Sequence, residues 1–129
     1  MERERLPQSV YQFEKTGQLS DLYAFQHVYQ IALGYEVPGG LEPARRNVLY
    51  SFMELAELLN ELPWKWHREY LTEPSLDALA EEFADTLVFQ MNILLHMGVT
   101  AAGLHRAVVS VLKKNVERLE AGTNTGEPG

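Results

Sequence analysis

The chain has 129 residues, a formal charge of −7, 46% hydrophobic and 22% charged content, which is the profile of one globular domain able to bury a core of its own. That acidic balance excludes a general nucleic-acid-binding face, which needs clustered cations. The absence of cysteine excludes disulfides and thiolate metal sites and fits a cytoplasmic protein.

Residues 1–19 mix charge with Pro7 and Gly17. They are expected to form an irregular lead-in, without the apolar centre of a secretory signal. Ser20 or Asp21 can cap a first helix that runs to about Leu33, with Gly34 as its stop. Leu22, Phe25, Tyr29 and Ala32/Leu33 recur along it at helical spacing. The Val37-Pro38-Gly39-Gly40 string is a turn. Pro43 suits the first turn of a second helix, which Pro63 ends near Leu62. Residues 64–74 lack periodicity and read as a connection with one short helical turn.

Ser75 is the expected N-cap of a third helix, with Asp77 in its first turn and Gly98 as its stop. Thr100 caps a fourth, and Val99 with Leu104 has the spacing of a hydrophobic staple. That helix is expected to reach about Glu120, with Gly122 as its stop. Residues 121–129 are too polar and glycine-rich to pack, and form a flexible tail. No segment has the alternation of a strand, and no apolar run reaches the ~18 residues of a membrane span. The expected architecture is all-α, a four-helix bundle over residues 20–120.

Two pairs of acids interrupt this apolar pattern. Glu54 and Glu57 lie in the second helix beside Phe52, Met53, Leu55, Leu58, Leu59 and Leu62. Glu82 and Asp85 lie in the third beside Phe83, Leu87, Val88, Phe89, Met91, Ile93, Leu94 and Leu95. Residues three apart on a helix point the same way, so each helix presents two carboxylates on one face. Packing the two helices together would converge four carboxylates, which requires protonation or a cation between them. With no cysteine and no histidine at matching spacing, the expected cation is hard and oxygen-loving, Mg²⁺ or Mn²⁺. A di-iron bundle would need Glu-x-x-His on two helices, and Asn60 and Val88 stand where those histidines belong. Asn92 and His96 extend the acidic stripe of the third helix. A narrow polar stripe on an apolar helix is usually buried against partners that satisfy it, and Asn92 is a candidate substrate contact.

The string Glu54-Leu-Ala-Glu57, followed after 24 residues by Glu82-Phe-Ala-Asp85, resembles the ExxE…ExxD signature of the all-α nucleoside triphosphate pyrophosphohydrolases. That superfamily includes MazG-like enzymes, dimeric dUTPases and related dCTPases. The resemblance extends over roughly residues 22–122. Asn60, Glu61, Trp64, Lys65 and Trp66 match the dimeric-dUTPase pattern that follows the first acid pair. Residues 81–99 are similar to the family's EExxDxLhF segment, and Lys114, Asn115 and Arg118 to its Lys-Asn-x-x-Arg segment. Gln26 falls where dimeric dUTPases place a base-contacting glutamine. Tyr29 stands in place of their usual asparagine and Val88 in place of a histidine, so the base preference stays open.

What the resemblance implies is Mg²⁺-dependent hydrolysis between the α and β phosphates of a nucleoside triphosphate, with dUTP the first substrate to test. Glu54, Glu57, Glu82 and Asp85 are the expected metal ligands, and Glu54, Glu57 or Glu61 would orient the attacking water. Lys65, Lys114 and Arg118 are candidate phosphate contacts. Trp64 or Trp66 could stack on the base, and Asn60 and Asn115 could offer polar groups to base, sugar or phosphate. His27, His67 and His105 have no evident partners and are expected to be structural or exposed. The alternatives are the same chemistry on dCTP or a broad nucleotide range, and a non-enzymatic helical dimerisation module. The apolar circumference of the third helix predicts a homo-oligomer, dimer or tetramer, since soluble monomers avoid large apolar patches.

Overall fold

A computed structural model of the protein describes residues 2–62 and 75–122. These residues form five α-helices: α1 (Glu2–Thr16), α2 (Leu19–Ala32), α3 (Leu41–Asn60), α4 (Leu76–His96) and α5 (Ala101–Glu120). There is no strand among them, and no single helix is long and apolar enough to cross a membrane. The fold is all-α. The expected Pro63 stop, the connection at 64–74 with His67, and the tail at 123–129 lie outside the described residues.

Residues 2–16 correct the expectation of an irregular lead-in. Helix α1 contains Pro7 and ends at Gly17, whose φ is +64° and whose amide donates to the Phe13 carbonyl at 2.7 Å. A proline in a helix interior removes one backbone hydrogen bond and is costly in isolation. Here α1 packs along α2 with Leu6, Ser9 and Phe13 half-buried, and tertiary packing overrides the local penalty. The start of α2 is also displaced. Its N-cap is Gln18, which makes no side-chain capping bond. Asp21 lies in the first turn and accepts a hydrogen bond from the Thr16 hydroxyl, so it ties α1 to α2.

The other helix ends follow the chemistry of their residues. Ser75 Oγ accepts from the Ala78 amide at 3.2 Å, and Thr100 Oγ1 from the Gly103 amide at 3.0 Å. Helices α2 and α4 close alike, with a glycine at positive φ (Gly34 +101°, Gly98 +84°) just past the last residue. In each, the next amide reaches back five residues, Tyr35 to Gln30 and Val99 to Leu94, which satisfies carbonyls that the helix itself leaves open.

Helices α3 and α4 form the main pair and run antiparallel. The Gly40 amide meets the His96 carbonyl at 2.9 Å, Asn47 meets Asn92, and the Tyr50 and Phe89 rings lie 5.4 Å apart. Helix α2 crosses α4 and also carries α1 and α5. The core is centred on Tyr23, Met91 and Leu95, with Leu22, Val37, Leu87, Leu94, Ala101 and Leu104 against it. Helix α5 follows α4 across the turn at 97–100, runs along α2 with Ala101 and Leu104 against the core, and has no buried residue. Exposed apolar residues lie on α3 (Leu49, Phe52, Met53) and α5 (Leu112, Val116, Leu119), with Leu76 and Phe83 in the first half of α4 and Val10 and Tyr11 on α1. They do not lie around the middle of α4, where Leu87, Met91 and Leu95 are packed inward.

Candidate metal centre

Helices α3 and α4 bring Glu54, Glu82 and Asp85 together, each offering a carboxylate oxygen within 4.8 Å of the other two. The antiparallel register explains this. Asn47 and Glu54 are seven residues apart on α3, as are Asp85 and Asn92 on α4. Seven residues make two turns, about 10.5 Å along the axis, and return to the same face. The polar rung at Asn47–Asn92 and the acids therefore occupy one seam.

One oxygen of Glu54 and one of Glu82 are buried and have no hydrogen-bond partner. Buried polar atoms are normally paired, so these two oxygens call for a partner. The electrostatics agree. Loss of hydration, and then the neighbouring Glu57 and Glu54 carboxylates, push Glu82 up to about 7 from its ordinary 4.5. Loss of hydration, then Glu57 and Asp85, also raise Glu54 above the usual carboxylate range. Glu57 is itself exposed, yet it lies close enough to act on both. A cluster that holds its protons this tightly is short of positive charge. Its all-oxygen donor set fits Mg²⁺ or Mn²⁺.

The remaining candidate residues fall in three places. Glu61 is half-buried at the C-cap of α3, one turn beyond Glu57, and Asn60 beside it is exposed. An apolar cleft of about 420 Å³ opens next to them between Leu58, Leu62, Leu76, Leu79 and Phe83. Trp64, Lys65 and Trp66 lie outside the described residues. Lys114 is exposed and Asn115 and Arg118 half-buried on α5. The α5 backbone runs along α2 rather than along the α3–α4 pair that carries the acids.

Gln26 and Asn92 are buried in a chain of amides that crosses three helices. Gln26 Nε2 on α2 donates to Asn92 Oδ1 on α4 at 2.9 Å. Asn92 Nδ2 donates to Asn47 Oδ1 on α3 at 3.1 Å, and Asn47 Nδ2 to the Pro43 carbonyl at 2.8 Å. Asn92 thus spends both ends of its amide on neighbouring helices. His96, at the end of the same stripe, is fully buried. Its Nδ1 accepts from the Gly39 amide at 3.1 Å, which leaves the proton on Nε2 for Gln30 Oε1 at 2.8 Å. Burial pushes His96 below the usual imidazole range, so it remains neutral in this role. Asn47 and Gln30 were not evident as partners in the sequence. The matching seven-residue spacing from the acids was the signal for Asn47.

A family model described as dUTPase matches residues 36–121 of this chain. That span begins at the turn before α3 and includes α3, α4 and α5. No curated protein and no solved structure matched the chain.

Proposed function

The chain belongs to the dUTPase family, and from that premise we propose that it is a metal-dependent nucleoside triphosphate pyrophosphohydrolase with its centre at Glu54, Glu57, Glu82 and Asp85. Family membership places it among nucleotide hydrolases. The observation that carries the finer reading is the pair of buried, unpartnered oxygens on Glu54 and Glu82, beside Asp85.

Glu54, Glu82 and Asp85 would hold the cation, and Glu57 would complete the set from the exposed side. When bound, a divalent cation offsets the charge of the triphosphate and lowers the pKa of a coordinated water. Glu61, one turn along α3, would orient the attacking water or take its proton. The bond to break is the one between the α-phosphorus and its bridge to the β-phosphate, giving nucleoside monophosphate and pyrophosphate. Asn60 is assigned to a base or sugar edge, and Gln26 and Asn92 to holding the helices behind the site. Lys114, Asn115 and Arg118 are assigned to the phosphates. Because the α5 backbone runs along α2 and not along the pair that carries the acids, they would reach the acids from a second copy. The exposed apolar residues of α3 and α5 give such a homodimer a surface to bury.

Initial rates against a panel of nucleoside triphosphates, with pyrophosphate detection and with Mg²⁺ or EDTA, test this reading. The expected result is pyrophosphate release that depends on Mg²⁺, with dUTP tried first and dCTP next. Absence of turnover on every nucleotide, with no effect of Mg²⁺ on the melting temperature, would leave only a helical dimerisation module.

A further inference from the structure

The acids of α3 and α4 meet in one alignment of two helices whose seam also buries Ser51 and Thr86, each with its hydroxyl bonded to a carbonyl of its own helix and so indifferent to register. A slip of one residue rotates a helix by about 100° and exposes the seam, so apolar packing alone forbids it. A slip of three or four residues keeps the seam facing inward, and Tyr50 against Phe89 does not discriminate strongly against it. Such a slip would part Glu54 from Glu82 and Asp85. The buried amides do discriminate. Asn92 has donor and acceptor both committed, to Asn47 and Gln26, and Asn47 likewise to Asn92 and the Pro43 carbonyl. Moved by one turn, the Asn47–Asn92 bond would be unmade, and a buried amide that loses its partner is costly. A single buried amide that fixes helix register at some expense of stability is an established device in coiled coils.

We propose that Asn47 is a positioning residue: paired with Asn92, it fixes the α3–α4 register that brings Glu54 against Glu82 and Asp85. This rests on the metal reading of those acids given above. The residue never touches substrate or cation. It acts two turns away, through the alignment of the helix that carries Glu54 and Glu57.

The test separates stability from metal binding. In the full chain, Gln26→Met, Asn47→Leu and Asn92→Leu are combined, so that no buried amide is left unpaired. Circular dichroism follows the melt, and Mn²⁺ titration by electron paramagnetic resonance follows the site. The expected result is a melting temperature equal to or above that of the wild type, with Mn²⁺ binding at least ~10-fold weaker and kcat reduced in parallel, in the range seen when groups behind metal ligands are lost. A purely structural role would move stability and affinity together. Should the triple variant fail to fold, Asn47→Asp is compared with Asn47→Leu. The aspartate keeps the oxygen that accepts from Asn92 and is expected to bind Mn²⁺ within about threefold of the wild type, the leucine at least ~10-fold more weakly. Wild-type Mn²⁺ binding by the triple variant, or by Asn47→Leu where that variant is used, overturns the proposal. Failure of the wild type itself to bind Mn²⁺ overturns instead the metal reading beneath it.

Discussion

Binding of a divalent cation should expel protons from the acid cluster, because Glu82 and Glu54 hold theirs more tightly than ordinary carboxylates. Glu82 is held at about 7 by lost hydration and by its carboxylate neighbours. At pH 7.0 such a group is roughly half protonated, and at pH 8.5 it keeps only about 0.03 of a proton. Mg²⁺ requires the carboxylate, so binding at pH 7.0 should release a substantial fraction of a proton per site, with a further contribution from Glu54, whose affinity for protons is also raised. Isothermal titration in two buffers of different ionisation enthalpy reads this number directly. The expected release falls towards zero by pH 8.5, while affinity climbs between pH 6 and 8. The same shift sets the stability of the metal-free protein. A carboxyl whose folded pKa lies above its unfolded value of 4.5 binds more protons in the native state between the two values, so stability falls as pH rises through that window. The melting temperature in EDTA should therefore decline from pH 5 to 8, and saturating Mg²⁺ should restore it. Cation binding at pH 7.0 with no proton release would refute the electrostatic reasoning.

Three further outcomes are expected. Glu57→Gln and Asp85→Asn should each lower turnover about 100-fold or more, as loss of a single charge-stabilising group does, while the melting temperature in EDTA stays level or rises because repulsion is relieved. Wild-type turnover in either variant at saturating Mg²⁺ would remove that residue from the site. Gly39→Ala should destabilise the chain by about 1–3 kcal/mol in a urea melt, because a Cβ there would lie 2.8 Å from Pro43 Cγ and 2.9 Å from both the Glu36 carbonyl oxygen and His96 Nδ1; an unchanged midpoint would contradict the close docking of that turn. Light scattering should give at least twice the 14.7 kDa chain mass, and a fully active monomer at nanomolar concentration would contradict assembly of the site from two copies.

Much of this fold could be read from local chemistry. Ser75 and Thr100 cap their helices through the hydroxyl bonds their residue types predict, and Gly34 and Gly98 end theirs at positive φ. The spacing of Glu54 from Glu57 and of Glu82 from Asp85 identified the faces that meet, because helical periodicity is a local property. What local chemistry could not supply was decided by partners distant in the chain. Pro7 and Gly17 argue against order in a short peptide, and only the presence of α2 makes α1 worthwhile. Ser20 and Asp21 have the right composition for a cap, but Asp21 is drawn to Thr16 instead. Asn92 was legible as a polar group needing a partner, whereas its identity as half of a rung with Asn47, 45 positions away, depended on the register of two helices. The same holds for His96, whose ring is claimed by Gly39 and Gln30.

The most direct measurement is phosphorus NMR of the products formed from dUTP by the wild type in Mg²⁺, alongside Glu54→Gln, which replaces one of the two buried unpartnered carboxylates. The account predicts deoxyuridine monophosphate and pyrophosphate in equal amounts from the wild type, in a reaction stopped by EDTA, and unreacted triphosphate from the variant. Orthophosphate with deoxyuridine diphosphate, or hydrolysis that persists in EDTA or in Glu54→Gln, would contradict it.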